Sequence, residues 1–160
     1  MDAPPVTYAG FWKRFLAYII DAIVLSIVSM ILVIPFFIMA GIGAMGSDSD
    51  YGNGAGVAMM MAMLGGYILI AILLVMVAGW LYYALMESSA KGATLGKMAL
   101  GIKVTDMNGN RISFGRATGR YFGKIISGLI IYIGYIMAGF TQQKQALHDI
   151  MAGCLVINKV

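Results

Sequence analysis

Residues 11–46 read FWKRFLAYIIDAIVLSIVSMILVIPFFIMAGIGAMG, and this stretch decides the fold. From Phe15 to Gly46 it carries a single charge, Asp21. A bilayer needs about 20 apolar residues in a helix, so the run is long enough to cross one. It far exceeds the roughly 7–15 residues of a signal-peptide core, which predicts that it stays in the membrane. Phe11, Trp12, Lys13 and Arg14 precede it as an aromatic and basic anchor for the headgroup region. Asp21 is the anomaly. A carboxylate at the centre of a membrane helix costs about 2.5 kcal/mol or more, so it needs a partner or a task.

The rest of the composition agrees. Of 160 residues, 61% are hydrophobic and 11% charged, with a mean hydropathy of +0.87. Soluble domains carry about 25% charged residues, so the chain reads as one integral membrane domain, 1–160. One cysteine, Cys154, excludes an internal disulfide. The predicted order is helix 1 at about 11–40 and a polar outer loop at 41–56 holding Asp48 and Asp50. Helix 2 follows at about 57–86, with Trp80, Tyr82 and Tyr83 as a second interfacial belt and Glu87 at its exit. Pro35 is placed to loosen the last turns of helix 1.

Residues 87–114 change character. Lys91, Lys97, Lys103, Arg111, Arg116 and Arg120 fall between Ser88 and Arg120, with Asp106 as the one acid. Lysine and arginine favour the cytoplasmic side, which puts the N-terminus and this segment inside and the 41–56 loop outside. Thr94 is placed to cap a short amphipathic helix carrying Leu95, Met98 and Ala99. Apolar alternation on both sides of Asn108–Gly109 predicts a β-hairpin pairing 102–105 with 111–114. Gly92 to Lys97 is one residue too short for a P-loop and follows no strand, so nucleotide binding is not expected.

A third membrane segment covers about 115–140, followed by a C-terminal segment, 141–160. Gly115, Gly119 and Gly123 share a helix face suited to close packing. Arg116, Arg120 and Lys124 form a basic stripe beside it, a candidate site for anionic lipid headgroups at the inner leaflet. As a helix, Ile125 to Phe140 reaches only about 24 Å against a hydrocarbon core of about 30 Å. It either spans with its basic start snorkelling or dips and returns; Lys144, His148 and Lys159 favour the return. The expected fold class is an all-α integral membrane protein with two full transmembrane helices, a third short or re-entrant segment, and a small cytoplasmic helix and hairpin.

Three stretches then form a pattern: residues 10–21 (GFWKRFLAYIID), residues 92–104 (GATLGKMALGIKV) with 113–117 (SFGRA), and residues 147–153 (LHDIMAG). In this order they resemble the RDD family, named for an arginine at the start of the first helix and two aspartates. Arg14, Asp21 and Asp149 would be those residues. The resemblance implies a small bacterial inner-membrane protein, with transport suggested for the family and cation/proton exchange proposed for a member.

Arg14 and Asp21 fall on one helix face about 10.5 Å apart along the axis, too far for direct pairing between ideal positions. Asp21 is therefore expected to meet Arg116, Arg120 or Lys124, and Arg14 to meet Asp149 or Glu87. These contacts either lock helix packing or form a proton or cation site; a carboxyl locked in a permanent pair cannot drive exchange. His148 is the sole histidine, able to relay protons or simply to pack beside Asp149, itself a candidate N-cap for a helix from Ile150. The methionines at 59–63 suit apolar filling better than copper. No metal site, cofactor, nucleic-acid partner or catalytic nucleophile–base set is expected. The leading expectation is ion or small-solute transport, including cation/proton exchange, by a homo-oligomer or with a partner membrane protein. The alternative is a non-transporting scaffold whose Arg and Asp residues fix packing.

Overall fold

The structure, a computed structural model, describes residues 7–45, 54–129 and 133–159, and these are mostly helical. Helix α1 is Phe11–Met45 and helix α2 is Gly54–Glu87. Both are apolar enough over 11–35 and 61–87 to cross a membrane. Hydrocarbon offers backbone groups no hydrogen-bond partner, and a helix satisfies all of them within one segment. Both helices outrun their predicted ends: α1 continues through Pro35, and much of the expected 41–56 loop is helical. Asp48 and Asp50 lie outside the described residues.

The chain divides into two compact units. Residues 24–79 make one. Within it the Ser29 hydroxyl donates back to the Leu25 carbonyl at 2.7 Å, and the Phe37 and Tyr67 rings meet edge to face at 5.8 Å. Ile27, Ile31, Met63, Leu69 and Leu73 are exposed there, the surface a lipid-facing helix needs.

The other unit joins residues 1–23 to 80–160. After α2 come α3 (Leu95–Ala99), β1 (Ile102–Asp106), α4 (Phe114–Leu129), α5 (Ile133–Phe140), α6 (Leu147–Ala152) and β2 (Cys154–Asn158). The hairpin expectation is corrected. β1 pairs antiparallel with β2, in the register Ile102↔Asn158 to Asp106↔Cys154, and not with 111–114. The turn after β1 does form, with Gly109 at φ 83°. Asp106 Oδ1 closes it by accepting the Asn108 and Asn110 N–H groups at 2.9 and 2.8 Å. Its far arm then leaves: the Arg111 guanidinium donates to the Ser88 carbonyl and Ile112 enters the core. The tail wins the β1 edge because Cys154, Leu155, Val156 and Ile157 are all apolar and all buried. The N-terminus adds to the same sheet: Tyr8 bridges Ile157, and Ala9 N–H donates to the Val156 carbonyl at 2.8 Å. Ile102, Val104, Ile112, Cys154 and Val156 pack with Ala9, Ala17, Ala84 and Ala117 into one core.

Candidate functional site

Asp21 is 1% exposed, and it meets no basic residue among the described ones. The expected partners Arg116, Arg120 and Lys124 all lie elsewhere. Three neutral donors hold it instead. The Tyr82 hydroxyl donates to Oδ1 at 2.8 Å, the Thr94 hydroxyl to Oδ2 at 2.6 Å and the Gly96 N–H to Oδ1 at 2.8 Å. Thr94 stands at the N-cap of α3 but makes no side-chain cap of its own, because its hydroxyl points to Asp21. The carboxylate thus supplies in trans the acceptor that the first turn of α3 needs. Tyr82 completes it by accepting the Leu95 N–H at 3.1 Å. Tyr82 and the buried Tyr83 therefore face inward rather than forming the predicted interfacial belt.

Gly96 explains how Asp21 comes so close. A Cβ there would collide with the Ala17 carbonyl and sit 3.0 Å from the Asp21 carboxyl carbon. Only glycine lets the backbone of α3 touch α1 at this point.

The charges form a second constellation. Arg14 donates Nη1 to Asp149 Oδ2 and Nε to the Ala9 carbonyl, the latter at 2.9 Å. Arg120, 2% exposed, bridges two acids: Nε to Asp149 Oδ1 at 2.7 Å and Nη1 to Glu87 Oε2 at 2.6 Å. Lys97 pairs with Glu87 Oε1, and Lys124 reaches the same oxygen at 3.3 Å while sitting 3.8 Å from the centre of the Tyr83 ring. Arg14, Lys97, Arg120 and Lys124 thus share two carboxylates, Glu87 and Asp149. Arg14 does meet Asp149, one of its two expected partners. Of the proposed lipid-binding stripe, Arg120 and Lys124 are drawn into this network, and Arg116 alone is exposed.

Asp149 is not the N-cap of a helix from Ile150. It lies within the first turn of α6, where its Oδ2 accepts the Ala146 N–H at 3.2 Å. Burial works against its charge, but the Arg120 and Arg14 guanidiniums more than offset this and hold the carboxyl below its usual range. His148 is buried against α4, with Nδ1 3.5 Å from Ser127 Oγ and its ring 5.1 Å from that of Tyr135. Burial, helped by Arg120, pushes the imidazole down to about 3, so it is neutral at physiological pH. Lys97 is lowered to about 7, first by burial and then by Arg120, with Glu87 acting in the opposite sense.

The glycine face splits. A Cβ at Gly123 would sit 3.1 Å from His148 Cβ, so this glycine seats α6 on α4; Gly115 and Gly119 have nothing within 4 Å. Sequence reasoning missed Tyr82, Thr94, Gly96 and Lys97. Thr94, Gly96 and Lys97 lie in the 92–104 stretch and Tyr82 near the end of α2, but their partners Asp21 and Glu87 were not readable from linear order.

The RDD family model matches residues 8–153. The chain is 39% identical over 151 residues to the uncharacterized protein YxaI of Bacillus subtilis (strain 168), covering 94% of this chain and 97% of that protein. It is 30% identical over 161 residues to the uncharacterized membrane protein YteJ of the same organism, covering 95% of this chain and 82% of that one. No solved structure matches.

Proposed function

The chain belongs to the RDD family of membrane proteins, and on that premise we propose that it is a multi-pass membrane scaffold rather than a carrier. In this reading its arginine and two aspartates staple a compact, cytoplasmic-side cap onto two membrane helices of the cell inner membrane. The observation that carries it is the saturation of Asp21. Its two oxygens already accept three hydrogen bonds, which leaves little capacity for a transported cation. Sidedness follows from the lysines and arginines of the cap. The shared sheet supports a returning third segment: 7–9, β1 and β2 join one another, so α4 and α5 leave and re-enter the same side.

The test is reconstitution into liposomes under an imposed pH gradient. The scaffold reading expects no cation flux above protein-free vesicles, and poor accumulation of Asp21→Ala in cells. Flux that Asp21→Asn abolishes while the variant still folds would overturn it. One observation favours the second reading, ion exchange: Lys97 is a buried ammonium that shares the Glu87 carboxylate with Arg120 and Lys124, so Glu87 has alternative partners. In that case Lys97→Met, and not Asp21→Asn, is the variant that stops flux.

A further inference from the structure

Beside the start of α1 and the end of α2 the sheet leaves an open hollow of about 390 Å³, lined by Ala90, Lys91, Lys103, Ile157, Asn158 and Lys159. We propose that this hollow binds the phosphate of an anionic phospholipid headgroup. Lys91 and Lys159 are exposed and Lys103 half-buried. Among the described residues none of the three is in a salt bridge. The strand register keeps Asp106, the acid of the sheet, away from them. Lys103 and Lys159 belong to the Ile102↔Asn158 end of the ladder, whereas Asp106 sits at the other end, opposite Cys154, about 13 Å along the strand. Glu87, Asp149 and Asp21 are all consumed inside the unit. Among the described residues no carboxylate compensates the ammonium charge of the hollow.

Its position selects lipid over a soluble anion. Asn158, in the lining, accepts a hydrogen bond from Lys13 Nζ at 2.8 Å, which brings a fourth ammonium to the rim. Lys13 follows Trp12, which is 72% exposed and meets Phe11 and Phe15 edge to face in a ring cluster. Such a cluster marks the headgroup level of a membrane helix. Ala90 and Lys91 follow the end of α2 within about one turn. The hollow thus opens where both spans meet the membrane face, on the side whose leaflet is negatively charged. This rests on the membrane placement proposed above but not on the scaffold role, since none of these lysines belongs to the buried network.

The experiment titrates the full chain, in zwitterionic micelles at low salt, with short-chain phosphatidylglycerol, short-chain phosphatidylcholine or inorganic phosphate, reading the melting midpoint. Phosphatidylglycerol is expected to raise the midpoint saturably, and phosphatidylcholine to leave it unchanged. The triple variant K91Q/K103Q/K159Q should bind phosphatidylglycerol about a hundredfold more weakly, with an unchanged midpoint in the absence of lipid. If that variant fails to fold, Lys91→Gln and Lys159→Gln singly, at exposed positions, should each weaken binding about fivefold. Undiminished binding by the variants, or an equal response to phosphatidylcholine, would overturn the site. An inorganic-phosphate response as strong as that of the lipid would overturn the lipid assignment.

Discussion

Two buried aspartates are satisfied by different partners. Asp21 is held by neutral donors, two of them hydroxyls, while Asp149 is held by two guanidiniums. The consequences of mutation differ accordingly. Arg120→Ala removes the guanidinium that Glu87 and Asp149 share, leaving the first to Lys97 and Lys124 and the second to Arg14. Breaking a buried pair from one side costs about 3–5 kcal/mol. A melt in detergent should show this loss as the largest of the network, and a stable Arg120→Ala protein would contradict the pairing. Acid should act on the same residues. Both His148 and Asp149 have native values below their unfolded ones, so the unfolded chain binds more protons and stability falls with falling pH. His148 contributes the loss from its ordinary value of about 6.5 down to about 3, and Asp149 adds to it below about 3.8. Melting midpoints from pH 8 to pH 4 should therefore decline for the native chain, and less steeply for His148→Gln.

At the scale of elements, α3 is too short to persist alone; isolated helices below about 12–15 residues are marginal in water. It exists because α1 and α2 finish it, Asp21 accepting from Gly96 and Tyr82 from Leu95. Gly96→Ala should thus cost about 1–3 kcal/mol through forced separation of α3 from α1. The exposed Gly115→Ala, with open space around it, serves as the control and should change the midpoint little or upward. β2 is likewise a strand by context. Its four buried apolar residues cover β1, and removing them exposes Ile102 and Val104. Val156→Asp should disrupt the sheet and release the tail to limited proteolysis; a protected tail in that variant would count against the pairing.

For the whole molecule the sheet is the organising fact, since it ties the N-terminal approach, the segment after α2 and the C-terminal tail into one unit. Single cysteines introduced at Thr7, Met107 and Lys159, in a chain with Cys154→Ser, should all react with a membrane-impermeant thiol reagent only from the cytoplasmic side. Labelling of position 159 from the opposite side would exclude the return of the third segment and separate β2 from β1.

The sequence alone determined what depends on composition and local periodicity: two long membrane helices, a basic cap between them and the third segment, the turn at Asn108–Gly109, and a carboxylate in α1 that needs partners. Hydrophobic length and charge placement report the solvent of each segment without knowledge of its neighbours. Only the tertiary structure decided who those partners are. Asp21 took hydroxyls and a backbone amide because Gly96 lets α3 press against α1, while the guanidiniums of Arg14 and Arg120 pair with Asp149 and Glu87. β1 took the tail instead of the adjoining arm because burial of four apolar side chains outweighs short loop closure. Contacts such as Arg14 to Asp149 join opposite ends of the chain, and such a pairing is set by competition among all available partners, which linear order does not encode.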